Sequence, residues 1–136
     1  MSPKEVEIVD GYNALFALAR LEHDGSDSYR FDVERRYFLE TLERKTRKER
    51  IVVFDNPEGD FQLERKGHLW ILFAGSGRTA DELILEMLTG KTTKSLRLLV
   101  DSHHRKVTVI TNDRELREKI EAIRPDVRLL GTGSLN

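Results

Sequence analysis

The sequence predicts an α/β fold in which a mostly parallel central sheet carries helices on both faces. Three observations lead there. Short apolar runs rich in β-branched residues, above all Ile51-Val52-Val53-Phe54 and Val107-Thr108-Val109-Ile110, read as strands buried on both faces, as strands of parallel sheets are. Segments with apolar residues at helical spacing alternate with those runs. The length of 136 residues suits one domain over 1–136, with one sheet and a helical layer on each side.

The first strand covers residues 6–9 and closes at Asp10, where Gly11 permits a turn. Phe31, Val33, Phe38, Leu39 and Leu42 recur at helical spacing, so a helix of about four turns follows, with Asp32 as an early cap. The run 51–54 is the second strand and stops at Asp55. Asn56-Pro57-Glu58-Gly59-Asp60 is then a loop. Leu69-Trp70-Ile71-Leu72-Phe73 is another strand, with Trp70 in the core, and it leads into the turn Gly75-Ser76-Gly77. Thr79 caps the next helix, whose buried stripe is Leu83, Ile84, Met87 and Leu88. The run 107–110 is the third strong strand. Thr111-Asn112-Asp113 leads from it into a helix carrying Leu116, Ile120 and Ile123, which Pro125 stops. Residues 127–130 form a last strand before a small polar tail.

Composition narrows the function classes. With no cysteine, the chain has no disulfide framework, thiolate zinc site or thiol nucleophile, and the cytoplasm is the expected compartment. No apolar stretch reaches the roughly 18 residues that span a bilayer, so a membrane partner is not expected. The 23 basic and 24 acidic side chains leave a net charge of −1, and global electrostatics therefore points to no nucleic-acid partner; local clusters must do so. The densest basic run, Arg44-Lys45-Thr46-Arg47-Lys48-Glu49-Arg50, reads as a solvated helix end that complements the helix dipole.

The acids are more informative. Asp10, Asp55 and Asp113 each follow a strand within a few residues, and ligands of open α/β sheets bind beyond the carboxyl ends of the strands. Asp81 and Glu82, in the first turn of the Thr79 helix, start from the same edge. Capping alone accounts for any one of these residues. Several together in one crevice repel one another, and a hard cation with oxygen ligands relieves that repulsion; magnesium or manganese fits. Ions of this kind assist phosphodiester hydrolysis.

The motifs Ile8-Val9-Asp10-Gly11-Tyr12-Asn13, Val52-Val53-Phe54-Asp55, Gly77-Arg78-Thr79-Ala80-Asp81-Glu82 and Val109-Ile110-Thr111-Asn112-Asp113-Arg114-Glu115-Leu116 resemble, in order, those of YacP-like NYN domains, a branch of the PIN-like nucleases. The resemblance implies a three-layer, Rossmann-like PIN fold and a single-strand endoribonuclease using Mg2+ or Mn2+. By motif position Asp10, Asp81 and Asp113 are the acidic metal site, Asn13 stands beside it, and Asp55 and Glu82 support it. Arg114 faces a phosphate, and Tyr12 and Arg78 join it in contacting substrate, Tyr12 either by stacking on a base or by packing at the strand end. The expected partner is single-stranded RNA or an exposed RNA loop, free or within a ribonucleoprotein. The chain is somewhat short for the group; Asn112 stands where serine is common, and Glu82 where a second aspartate is common, which keeps a carboxylate. A catalytically inactive NYN module that binds RNA or a ribonucleoprotein is the alternative.

Other signals carry less. Gly90-Lys91-Thr92 lacks the earlier glycine of a P-loop, since Leu85 stands there; Lys91 and Lys94 read as plain surface first and as contacts to an RNA backbone second. Gly75-Ser76-Gly77 suits a flexible turn as well as a phosphate cradle. His103-His104 beside Asp101-Ser102 offers triad residue types, but neighbours in sequence do not form triad geometry. A receiver-like domain phosphorylated at Asp55 lacks its expected lysine and acid pair.

Overall fold

A computed structural model of the chain describes residues 4–19, 28–45, 48–92, 96, 97, 100 and 105–135. The elements run β1 (Lys4–Asp10), α1 (Gly11–Ala19), α2 (Ser28–Lys45), β2 (Glu49–Phe54), β3 (Gln62–Lys66), β4 (Leu69–Phe73), α3 (Ala80–Leu88), β5 (Arg105–Ile110), α4 (Arg114–Ile123), β6 (Arg128–Leu130) and a short 3-10 helix (Thr132–Leu135). The six strands order as β3-β4-β2-β1-β5-β6. Every neighbouring pair is parallel except β3 with β4. The expected α/β class and mostly parallel sheet are therefore observed.

Alternation along each strand divides the core in two. Val6, Ile8, Ile51, Val53, Leu72, Val107 and Val109 face one way and meet Leu83, Ile84, Met87 and Leu88 of α3 and Leu116 and Ile120 of α4. Val9, Val52, Phe54, Leu69, Ile71 and Ile110 face the other way and meet Ala14 and Leu15 of α1, Phe38 and Leu42 of α2, and Leu135. Continuous apolar strands such as β2, buried from Arg50 through Phe54, are what two covered faces require. Trp70 sits half-buried against the α3 side of the core.

Several local expectations change. Gly11 does not open a turn but begins α1 directly. Its missing side chain lets the helix approach β2: a Cβ there would lie 2.5 Å from the Phe54 ring and 2.8 Å from the Val53 carbonyl oxygen. Helix α2 begins at Ser28, so Asp32 lies inside it and is not its cap; its Oδ1 accepts from Arg35, 3.3 Å away. Residues 62–66, between the expected loop and the expected strand, form an edge strand whose five residues are all exposed. The basic run is not wholly solvated: Arg50 is buried on β2, and its Nε donates to Glu7 Oε1 on β1 at 2.8 Å. Glu7 and Arg50 are directly paired across the two strands, so each neutralises a charge that would be costly to bury alone. Within the same run Thr46 and Arg47 lie outside the described residues, as do Lys94 and the segment from Asp101 to His104.

Gly75 adopts φ 84°, and a Cβ on it would lie 2.6 Å from the backbone nitrogen of Phe61. With Gly77 at φ 80°, this supports the turn reading of the Gly75-Ser76-Gly77 segment. The turn brings the chain from the end of β4 back to the start of α3, at the carboxyl edge of the parallel strands.

Candidate functional site

Strand β1 lies between β2 and β5. From β1 the chain first builds outward through β2 and β4, and later returns to add β5 on the opposite side. The order reverses between β1 and β5, where open α/β sheets leave a crevice at their carboxyl edge. Asp10 is the last residue of β1, and Asp113 follows β5 by three positions.

Asp10 is 7% exposed, and its Oδ2 accepts from the Thr111 hydroxyl at 2.9 Å. Its carboxyl is pushed up to about 7, chiefly by burial, with the Thr111 bond opposing and the charges of Asp81, Asp113 and Asp55 adding to the rise. Asp81 is also raised, first by its own partial burial and then by Asp113 and Asp55, with Lys119 opposing. Carboxyls from the ends of β1 and β2 and from the starts of α3 and α4 thus act on one another at one sheet edge.

The acids differ in what else holds them. Asp113 is the N-cap of α4, and its Oδ1 accepts from the Leu116 amide at 3.1 Å. Asp55 Oδ1 accepts from the Ala80 amide at 2.8 Å, tying the end of β2 to the first turn of α3. Glu82 belongs to a capping box: the Thr79 hydroxyl accepts from the Glu82 amide at 3.1 Å, and Glu82 Oε1 accepts from the Thr79 amide at 3.4 Å. Its charge is not among those raising Asp10 or Asp81. Capping and clustering therefore coexist, and a carboxylate with one oxygen on a helix N-H keeps a second for another ligand.

Among the described residues no three acidic or histidine side chains form a ready-made metal cluster. The aspartates are close enough for Asp55 and Asp113 to raise the carboxyls of both Asp10 and Asp81. This donor set still fits magnesium or manganese, because magnesium is commonly held by one or two carboxylates and retains several waters. No thiolate or imidazole competes there among the residues just described.

Asn13, on α1, turns its Oδ1 to the Asn112 backbone amide at 2.7 Å. The Asn112 side chain in turn clasps Thr132: Nδ2 donates to its hydroxyl at 2.7 Å, and Oδ1 accepts its amide at 3.0 Å. Thr111 is a residue the sequence reading did not single out. It is fully buried, and its hydroxyl accepts from the Asp113 amide at 3.0 Å. Its one hydroxyl proton is thereby left for Asp10, so a single side chain orients the Asp10 carboxylate and the start of α4. A threonine two residues before a helix-capping aspartate was the available signal.

The residues expected to meet substrate are dispersed around this edge. Tyr12 packs its ring 4.7 Å from that of Phe54 and 6.0 Å from that of Phe16, and its hydroxyl accepts from Arg35 at 3.1 Å, which favours the packing role. Arg78 immediately precedes the α3 cap, pairs with Glu86 at 2.6 Å and lies over the Phe61 ring. Arg114 is 91% exposed, with Glu118 at 3.3 Å one turn further along α4.

A family model described as the YacP-like NYN domain matches residues 7–123. Among solved structures, Rae1 (YacP) from Bacillus subtilis is similar at 19% identity over 96% of this chain and 71% of that one, with a TM-score of 0.64. A tryptophan-to-leucine mutant of the same protein is similar at 20% identity over 96% and 72%, also with a TM-score of 0.64. No curated protein matches the chain in sequence. The structural likeness extends over nearly the whole chain and concerns the fold.

Proposed function

This chain belongs to the YacP-like NYN domain family, and from that premise we propose that it is a metal-dependent endoribonuclease acting on single-stranded RNA or exposed RNA loops. The observation that carries the proposal is the convergence of Asp10, Asp81, Asp113 and Asp55 at one sheet edge, close enough for each of the other three to raise the Asp10 carboxyl. Helix capping alone explains Asp55 and Asp113 but gives no reason for Asp10 to be buried beside them.

Asp10, Asp81 and Asp113 would hold Mg2+ or Mn2+, with Asp55 and Glu82 at the margin. When bound, such an ion supplies positive charge to the phosphodiester and lowers the pKa of a water for in-line attack. Thr111 fixes the direction of Asp10, and the Asn112 amide fixes Asn13 with its side-chain NH2 available to a substrate oxygen. Arg114, almost fully exposed at the start of α4, would meet a phosphate. Protonated Asp10 is a poor ligand, so activity rises as pH passes through about 7.

The deciding experiment is cleavage of a labelled single-stranded RNA pool with manganese, with magnesium and with chelator, beside Asp10→Asn and Asp113→Asn. Metal-dependent cutting by the wild type, reduced at least about 100-fold in both folded variants, is expected. Unchanged cutting in Asp113→Asn removes its metal role. RNA binding without cutting under any metal transfers the reading to a non-catalytic RNA-binding module.

A further inference from the structure

Two arginines outside the acidic cluster lie over aromatic rings along the outer edge of the sheet. Arg78 is 5.4 Å from the Phe61 ring, and Arg65 on β3 is 4.6 Å from the Trp70 ring on β4. Arg65 pairs with Trp70, and Leu63 with Leu72, across the antiparallel β3–β4 ladder, so Leu63 and Arg65 lie on the face that α3 covers further in. Phe61 is 41% exposed and Leu63 40%. Together they make a strip of arginine, aromatic and apolar groups on a strand that is exposed throughout.

From this arrangement we propose that the outer β3 strip is a binding subsite for single-stranded RNA, guiding the strand into or out of the acidic edge; the inference rests on the ribonuclease reading above. Single-stranded RNA is the occupant whose chemistry matches. A guanidinium held over an aromatic ring can stack on a base and donate its N-H groups to phosphates. Arg65 is already held in place: its Nε donates to the Gly67 carbonyl at 3.1 Å. No carboxylate pairs with it among the described residues, whereas Arg78 shares its charge with Glu86.

Continuity with the acids supplies the second argument. Arg78 is followed by Thr79, the α3 cap, and by Ala80, whose amide is held by Asp55; Asp81 is next in the chain. One end of the strip thus abuts the acidic edge. From Phe61 to Arg65 a strand advances roughly 13 Å, room for about two nucleotides beyond those at the acids.

The test is the affinity, in chelator, of labelled oligouridylates of about 12 and about four nucleotides for the wild type, Arg65→Glu and Phe61→Ala. Manganese-dependent cutting of the longer RNA is measured alongside, and thermal unfolding checks the fold of each variant. The expected result is a loss of about tenfold or more for the longer RNA in both variants, with the short RNA changed far less. Equal affinity for the longer RNA in wild type and both folded variants overturns the strip, whether or not the wild type cuts. Selective loss in the variants, with no cutting by the wild type under any metal, keeps the strip and overturns the nuclease reading. Should the longer RNA not bind to the wild type at all, the strip is overturned.

Discussion

At the scale of residues, Asp10 ties folding to chemistry. A carboxyl held near 7 in the folded chain, against 3.8 for an ordinary aspartate, binds its proton more tightly when folded. Its contribution to stability is therefore fully present below about pH 4 and is lost as the pH rises through about 7. Asp10→Asn removes the buried charge, and its amide oxygen still accepts from Thr111. In chelator, urea unfolding is expected to show this variant more stable than the wild type at pH 8, by on the order of 4 kcal/mol, since each tenfold in proton affinity is about 1.4 kcal/mol. The difference should vanish toward pH 4. A wild type that remains equally stable across that range would mean that Asp10 stays solvated. A variant gaining stability while losing cutting is the pattern of a site residue placed at a cost to the fold.

At the scale of elements, the start of α3 is where helix formation and the acidic edge coincide. The Thr79–Glu82 capping box and the Asp55–Ala80 bond satisfy amides that begin the helix, and they set where Asp81 stands. Thr79→Ala is expected to cost about 1 kcal/mol in urea unfolding and to weaken metal-dependent cutting as Asp81 loses its fixed position. Loss of stability with cutting unchanged would separate the cap from the site. Elements also show where local pattern misleads. The nine residues of α1 follow β1 without a turn, so the glycine that reads as a break is instead the point where the helix rests on Phe54. Strand β3, Gln-Leu-Glu-Arg-Lys, carries too little apolar pattern to read as a strand and exists because β4 offers it a hydrogen-bonding edge.

At the scale of the molecule, the acids come from both sides of the point where strand order reverses, so an ion held between them would tie the β1, β2, α3 and α4 segments together. An ion that binds only the folded chain raises its stability by about 2.7 kcal/mol at a hundred times its dissociation constant. Thermal unfolding is expected to shift upward by several degrees with millimolar manganese relative to chelator, and Asp81→Asn should abolish most of the shift. An equal shift in Asp81→Asn would place the ion elsewhere. The sequence by itself determined the class of the fold and the candidate acids, because apolar β-branched runs and helical periodicity are local consequences of burial, and because Asp10, Asp55, Asp81 and Asp113 stand at the ends of those patterns. It also carried the family motifs, which the match over residues 7–123 bears out. Only the tertiary structure decided that Arg50 is buried against Glu7, that Thr111 bridges Asp10 to α4, and that Arg65 lies over Trp70. Those contacts join residues through strand register and crossover connections, and no window of neighbouring residues contains both partners of a pairing that the sheet alone brings together.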